Sequence, residues 1–409
     1  MEEVTVAMVA LGGYGNFYLQ RLLGGEAAYR YRLVAGIDPN PVGCRYLDEL
    51  QARSIPIFPD LDHFYAEQSA DLVIIAAPIH LHKPFTLKAL AHGSNVLCEK
   101  PVAPTVQDVR EMAEAEAASD RFVGIGYQWS YAEAIQALKR DVIAGVLGSA
   151  VRLTTKVLWP RPLSYYRRNN WAARIKASDG SWLLDSPANN ATAHYLHNCF
   201  YVLGESRATS ARPVDVQAEL YRANDIENYD TAAIRCHVEG GAEIVFLTAH
   251  PVDQNIGPTL RYEFEQAVVS FDAAEGALVA EFRDGRVKDY GNPFADEGRK
   301  IWEAIDAVRT GAPMACSIAG ATSHTLAING AQESVGEIMA FPVELIRRQA
   351  LGEDTLTYVE GLLETLKACY DAAVLPAELG TAPWARAGEV VDLRGYDRYP
   401  RRQNSPPKR

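Results

Sequence analysis

The stretch Asp71–Pro101, DLVIIAAPIHLHKPFTLKALAHGSNVLCEKP, constrains the fold more than any other part of the chain. Leu72 to Ala77 is an unbroken apolar run rich in Val and Ile, the pattern of a strand buried on both faces of a parallel sheet. Pro78 stops it, because proline has no N–H for the ladder. Pro84 sits near the start of a helical pattern (Phe85, Leu87, Lys88, Ala89, Leu90), where a missing N–H costs nothing. Gly93 closes that helix, and Asn95–Cys98 is the next short strand. This strand delivers Glu99, Lys100 and Pro101 to the carboxyl end of the sheet, where open α/β sheets bind ligands. A lysine placed there is partly desolvated, which lowers its pKa toward values useful for proton transfer.

Upstream, Val4–Leu11 reads as a first strand, followed by Ala10-Leu11-Gly12-Gly13-Tyr14-Gly15 and then Asn16 and an apolar helical pattern (Phe17, Leu19, Leu22, Leu23). This is nearly G-x-G-x-x-G, with Ala10 in the place of the first glycine, and a slightly less tight turn is expected from that departure. Gly12 lets the backbone approach a pyrophosphate and Gly15 lets helix pack closely on strand. Gly13, Tyr14 and Asn16 complete the turn at the helix N-terminus, whose N–H groups favour phosphate. A second strand, Tyr31–Ile37, ends in Asp38, 23 residues beyond Gly15. An acid there accepts hydrogen bonds from ribose hydroxyls and repels a 2′-phosphate. Pro39, Asn40 and Pro41 follow it without a basic residue, so NAD is expected to be preferred over NADP. Ile55–Phe58 and Phe122–Tyr127 read as further strands, and the β-α alternation from 4 to 127 is that of a doubly wound parallel sheet.

A strand ending Ala76-Ala77-Pro78, His82 four residues after that proline, a helix, and then Val96-Leu97-Cys98-Glu99-Lys100-Pro101 together resemble the Gfo/Idh/MocA family, the relatives of glucose-fructose oxidoreductase and inositol 2-dehydrogenase. The resemblance implies an N-terminal α/β Rossmann domain and a C-terminal α+β domain with a large, open, mostly antiparallel sheet. It implies an NAD-dependent oxidoreductase acting on a secondary hydroxyl of a sugar, polyol or glycoside. Ala77, Pro78 and His82 would line the cofactor side, Glu99 would approach the nicotinamide ribose, and Gln128 would face nicotinamide and substrate. Lys100 would exchange the hydroxyl proton, with Asp185 orienting Lys100 or the substrate. Relatives carry a His four residues after that Asp and a second Asp three beyond. Here Asn189 and Thr192 stand in those places, and an amide cannot titrate. Asn189 is then expected to hold a hydroxyl. His194 and His197 are the nearby titratable candidates; on a regular helix His194 shares a face with Asn190.

The segment Trp159–Trp171 is dense in Arg, Tyr, Asn and Trp, which suits the C–H faces and hydroxyls of a sugar ring. Tyr127, Trp159, Arg168, Asn170, Trp171 and Asn190 are the candidate substrate contacts, with His250 and Gln254 on a loop that could reach the same pocket. Two rival readings differ in what they make of the missing histidine: a glycosidase that retains its NAD and oxidises the ring transiently, and a non-catalytic NAD-binding regulator.

The 409 residues suffice for two domains, expected at 1–128 and 129–385, with an extended basic tail at 386–409. A net charge of −12 argues against nucleic acid or an anionic membrane as partner. The six cysteines are scattered, without a C-x-x-C pair, so reduced thiols are expected and no metal site. Acids at the N-terminus and the lack of an apolar run of about 18 residues suggest a cytoplasmic protein. In the second domain, Val151–Trp159 alternates as an antiparallel strand with one wet face does. Residues 260–271 read as one strand, and 296–310, 318–340 and 355–372 as helices. The resemblance implies a homodimer or homotetramer packed through the C-terminal sheet.

Overall fold

The computed structural model describes residues 3–25 and 28–401. The first sheet has six parallel strands: β1 (Val4–Val9), β2 (Tyr31–Ile37), β3 (Ile57–Phe58), β4 (Leu72–Ile75), β5 (Asn95–Cys98) and β6 (Val123–Ile125). Their order is 3-2-1-4-5-6, the doubly wound Rossmann arrangement. All four residues of β4 are fully buried, as an apolar run covered by helices on both faces requires. The chain order reverses between β1 and β4, so a crevice opens at their carboxyl ends. The glycine turn, Pro78, Glu99-Lys100 and Gln128 all lie at that end of the sheet.

The second sheet runs β14-β13-β12-β11-β7-β10-β9-β8-β15. Its strands are β7 (Ala150–Leu158), β8 (Pro213–Arg222), β9 (Thr231–Val238), β10 (Glu243–Ala249), β11 (Ile256–Phe264), β12 (Ala267–Asp272), β13 (Leu278–Phe282), β14 (Val287–Gly291) and β15 (Met339–Ala340). A further pair, β16 (Ile346–Leu351) and β17 (Asp354–Val359), forms a hairpin, and β18 (Val391–Asp392) pairs with β8.

Several expectations are corrected here. β7 is a central strand, parallel to β10 and antiparallel to β11; its alternation does not mark a wet face, because Thr154 and Thr155 are buried. Residues 260–271 are two strands, since Glu265-Gln266 turns the chain back. The expected helix 355–372 is a strand, β17, followed by a helix at Leu362–Ala372, and the helix from Ile318 ends at Ser334. The tail is not free as far as it is described. Leu393, Tyr396 and Tyr399 pack into the second core, and the Tyr396 hydroxyl donates to Glu333 (3.0 Å). Residues 402–409 of the expected tail lie outside the described residues.

The chain also returns to its first core. The helix Arg299–Thr310 packs Ile301, Trp302, Ala304 and Ile305 against the parallel sheet, with Trp302 stacked on Tyr29 at 5.2 Å. On the outer face of the second sheet, Val245, Leu247 and Ala249 are covered by the chain's own Leu362, Leu363 and Leu366. The helix Leu362–Ala372 therefore occupies part of the face through which subunits were expected to pack. All six cysteines are buried and unbridged. Among the described residues no helix is long and apolar enough to cross a membrane, and no group of three His, Cys, Asp or Glu could hold a metal.

Candidate active site

The cofactor end is built by the turn after β1. Ala10 adopts a left-handed conformation (φ 65°), as does Gly13 (φ 54°). The turn is therefore as tight as with glycine, contrary to expectation, at a cost on the order of 1 kcal/mol for the alanine Cβ. Gly15 admits no side chain: its Cβ would lie 2.1 Å from Ala10 O. A Cβ on Gly13 would meet nothing within 4 Å, so the turn presents open space there. The amides of Gly12, Gly13 and Tyr14 bond to no other described residue, which leaves three donors for an anion at the start of the helix Gly15–Gly24. Asn16 braces the loop instead, donating to Gly13 O (3.2 Å) and Gly43 O (3.0 Å) and accepting from Arg45 N (2.7 Å). Asp38 accepts from Leu11 N and Asn40 N (2.9 Å each). It stays part-exposed at the end of β2, with one lone pair per oxygen to spare. These residues fit a dinucleotide.

The reacting end centres on Lys100, which leaves β5 at its carboxyl end. Its Nζ donates to Asn190 O (2.6 Å) and Asn190 Oδ1 (2.9 Å). Asn190 Nδ2 donates to Asp185 Oδ1 (2.7 Å), and Asp185 Oδ2 accepts from Ala173 N (2.6 Å). Burial, helped by the Lys300 and Arg168 charges and opposed by Glu99 and Asp185, lowers Lys100 to about 8. Burial raises the Asp185 carboxyl against the hydrogen bond from Ala173 and the nearby Arg168.

Asn189 does not reach Lys100; it is buried and its amide donates to Leu184 O (3.0 Å). The cause is a π-turn over Pro187–Ala191. Thr192 N bonds back five residues to Pro187 O (2.9 Å), one residue more than an α-helix allows. That extra residue makes Asn190, not Asn189, the partner of Lys100. His194 follows on the helix Ala193–Val202. Burial, then the Lys100 and Lys300 charges, hold it well below its ordinary value, so the ring is neutral. Its Nδ1 is buried without a partner. His197 stacks on Tyr127 (3.8 Å between ring centres) and bonds Ser130 Oγ through Nε2 (2.9 Å). Tyr127 also meets His194 edge-on, and its hydroxyl is buried and unpartnered.

Two residues expected on the cofactor side are spent within the protein. His82 lies between Ala77 O (Nε2, 2.9 Å) and Pro101 O (Nδ1, 2.7 Å), bridging the residue before Pro78 to the turn after Lys100. Glu99 is buried and bonds Tyr18 OH (2.6 Å), its Oε2 accepts from Lys100 N (3.1 Å), and Lys300 pairs with its Oε1. Burial acts to raise this carboxyl, but the charges of Lys300 and Lys100 overcome it and hold it below its ordinary range. Lys300 lies beneath the glycine turn, 4.8 Å from the centre of the Tyr14 ring. Gln128 joins the two sides of the cleft, accepting from Tyr14 OH (3.1 Å) and donating to Glu297 (3.4 Å).

The aromatic segment converges as expected only in part. Arg168 lies over Tyr165 (3.9 Å) and Trp171 (5.3 Å) and reaches 3.9 Å from Asp185. Trp159 donates to Gly257 O (3.1 Å) and packs edge-on against Tyr195. His250 meets Tyr165 edge-on. Asn170 and Gln254 are exposed. Lys300, Tyr18, Arg161 and Tyr166 were not singled out in the sequence. For Lys300 there was a signal: it sits in register with Ala304 and Ala307 on the apolar stripe of its helix, where a lysine is unusual unless paired.

The sheet order and the open glycine turn define a dinucleotide-binding domain. Residues 4–127 match the model of the Gfo/Idh/MocA oxidoreductase family, described by its NAD-binding Rossmann fold. The chain is 31% identical over 171 residues to 2,7-anhydro-N-acetylneuraminate hydratase of Mediterraneibacter gnavus, covering 42% of this chain and 41% of that protein. It is 30% identical over 151 residues to inositol 2-dehydrogenase of Burkholderia multivorans, covering 37% and 44%. The match thus spans under half the length of these curated relatives. Among solved structures, the WlbA dehydrogenase of Bordetella pertussis, in complex with NADH and UDP-GlcNAcA, superposes with a TM-score of 0.66 at 19% identity, over 82% of this chain and 98% of that one. UDP-N-acetylglucosamine 3-dehydrogenase of Acidithiobacillus ferrooxidans gives 0.65 at 19%, with the same coverage. At that identity these two establish a shared fold across both domains.

Proposed function

We propose that the protein is an NAD-dependent oxidoreductase acting on a secondary hydroxyl of a sugar, polyol or glycoside. The observation that carries this reading is Lys100: an amine lowered to about 8, at the switch-point crevice, beside a turn that fits a dinucleotide. Bound NAD would supply the acceptor for the hydride that leaves the carbinol carbon. The Gly12, Gly13 and Tyr14 amides would hold the pyrophosphate, and Asp38 the adenosine ribose. A neutral amine has two N–H donors and one lone pair; Asn190 takes both donors of Lys100, which leaves the lone pair for the proton of a substrate hydroxyl. Through it Lys100 removes the proton as the carbinol is oxidised. Asp185 acts through Asn190, fixing the amide that aims the amine. The relatives and structural neighbours named above, inositol and nucleotide-sugar dehydrogenases among them, support a carbohydrate-like substrate.

A screen of sugars, inositols and glycosides with NAD, followed at the nicotinamide absorbance, tests the reading. NADH in proportion to oxidised product is expected. Sugar release without net NADH, or bound NAD that no carbohydrate reduces, would overturn it.

Two further outcomes follow. In the oxidising direction the neutral amine is the competent form, so kcat/KM should rise tenfold per pH unit below about 8 and level off above it. A profile flat from pH 6 to 9 would exclude Lys100 as the base. Because Asp38 ends β2 with spare lone pairs, kcat/KM should favour NAD over NADP by at least about tenfold. Asp38→Ala should narrow that ratio, mainly by relieving repulsion of the 2′-phosphate.

A further inference from the structure

Two guanidinium groups share the Tyr165 ring on one wall, with very little to neutralise them, and Arg168 of the two reaches the Lys100–Asp185 cluster. Arg168 has Asp185 at 3.9 Å as its only carboxylate contact among the described residues, and the Asp185 oxygens also accept from Ala173 N and Asn190 Nδ2. Arg161 has no ion pair among the described residues. Its guanidinium makes a long contact to Pro160 O (3.4 Å) and lies 5.1 Å from the Tyr165 ring centre and 5.5 Å from that of Trp159. Its Nε is buried and unpartnered. The Tyr166 hydroxyl and His250 Nε2 are likewise buried without partners among the described residues. His250 is 1% exposed, and its Nδ1 bonds Trp159 O (2.9 Å). Burial and the Arg161 charge hold this ring neutral, lowered to about 3. In the tautomer that donates from Nδ1, Nε2 is a bare acceptor.

Lys100 lies between the charges of Glu99 and Asp185, whereas Arg168 has only Asp185, at 3.9 Å, and Arg161 has no carboxylate partner among the described residues, so the two guanidinium groups carry an excess of positive charge. An uncharged polyol would leave that excess uncompensated in a partly dry site, where charges are weakly screened. Guanidinium groups resting against aromatic rings present a fork that matches a carboxylate or phosphate. We propose that this wall is an anion subsite: the substrate is a carbohydrate carrying a carboxylate or phosphate group, bound by Arg161 and Arg168. Tyr166 OH donates to the same anion and His250 Nε2 accepts a sugar hydroxyl. This rests on the oxidoreductase reading and narrows it to acidic sugars.

The test uses the full chain with NAD and three probes of matched ring: glucose, glucuronate and glucose 6-phosphate. Thermal stabilisation and NADH formation are both read, for wild type, Arg161→Gln and Arg168→Gln, with NAD affinity by fluorescence as the check on folding. At least one charged sugar should stabilise the wild type more than glucose does and exceed it at least tenfold in kcat/KM. Which of the two does so separates carboxylate from phosphate. Each Gln variant should lose most of that preference while binding NAD as the wild type does. Equal response to glucose and both charged sugars, or a preference that survives in both variants, overturns the subsite. Stabilisation by a charged sugar that is lost in the variants, with no probe oxidised, would keep the subsite and count against the oxidoreductase reading instead.

Discussion

Lys100→Ala is expected to lower kcat by about two to four decades, the range typical of removing a positioned acid/base, while NAD binds as before. Binding should survive because the cofactor contacts come from the turn after β1 and from Asp38, and because the interaction that seats Glu99 uses the Lys100 backbone amide (3.1 Å), which truncation leaves in place. The loss should fall on kcat rather than KM, since a group that moves a proton acts chiefly in the transition state. Asn190→Ala should give a smaller loss, because it frees the amine without removing it. The Lys100 variant should also lose the limb near pH 8 assigned to the amine. A kcat within a few-fold of wild type, or a pH profile that keeps its limb, would remove Lys100 from the mechanism.

The first sheet was legible because its strands are short, apolar and bounded by Pro, Gly and Asp; a strand covered on both faces has no other way to read. Its turn chemistry was legible too, except that Ala10 takes the conformation a glycine would. The second sheet was harder. β7 has the alternation of an edge strand yet lies in the middle, because its neighbours, Tyr262 on β11, Phe246 on β10 and Cys199 against Thr155, come from sequence positions that no local window contains. The apolar positions of 355–372 fit a helix over their whole length, and the break at Gly361 (φ 78°) was the signal passed over. The site shows the same division. Lys100 and Asp185 could be named from local motifs. Which asparagine meets Lys100 could not, since a π-turn of one extra residue shifts every later side chain by about 100°.

Lys300→Met should cost about 3–5 kcal/mol of stability, the usual price of leaving a buried charge without its partner. Glu99 is buried, and beyond Lys300 it is stabilised by the Tyr18 hydroxyl, the Lys100 amide and the Lys100 charge. With Lys300 gone, burial pushes the Glu99 carboxyl above its unfolded value. A group raised in this way contributes stability below its unfolded pKa, about 4.3, and loses it as pH rises. The deficit should therefore be full near pH 7 to 8 and shrink toward pH 4. Adding Glu99→Gln should recover most of it, because the pair as a whole is close to neutral against uncharged replacements. Urea unfolding of the four members of this cycle measures the coupling; a single variant within about 1 kcal/mol of wild type at pH 8 would sink the argument. The same lysine also acts on catalysis. Its charge helps hold Lys100 low and neutralises Glu99, which would otherwise keep Lys100 protonated. Removing it should move the limb near pH 8 to higher pH, a shift that packing damage alone would not produce. A helix 200 residues downstream would then tune the base through one carboxylate.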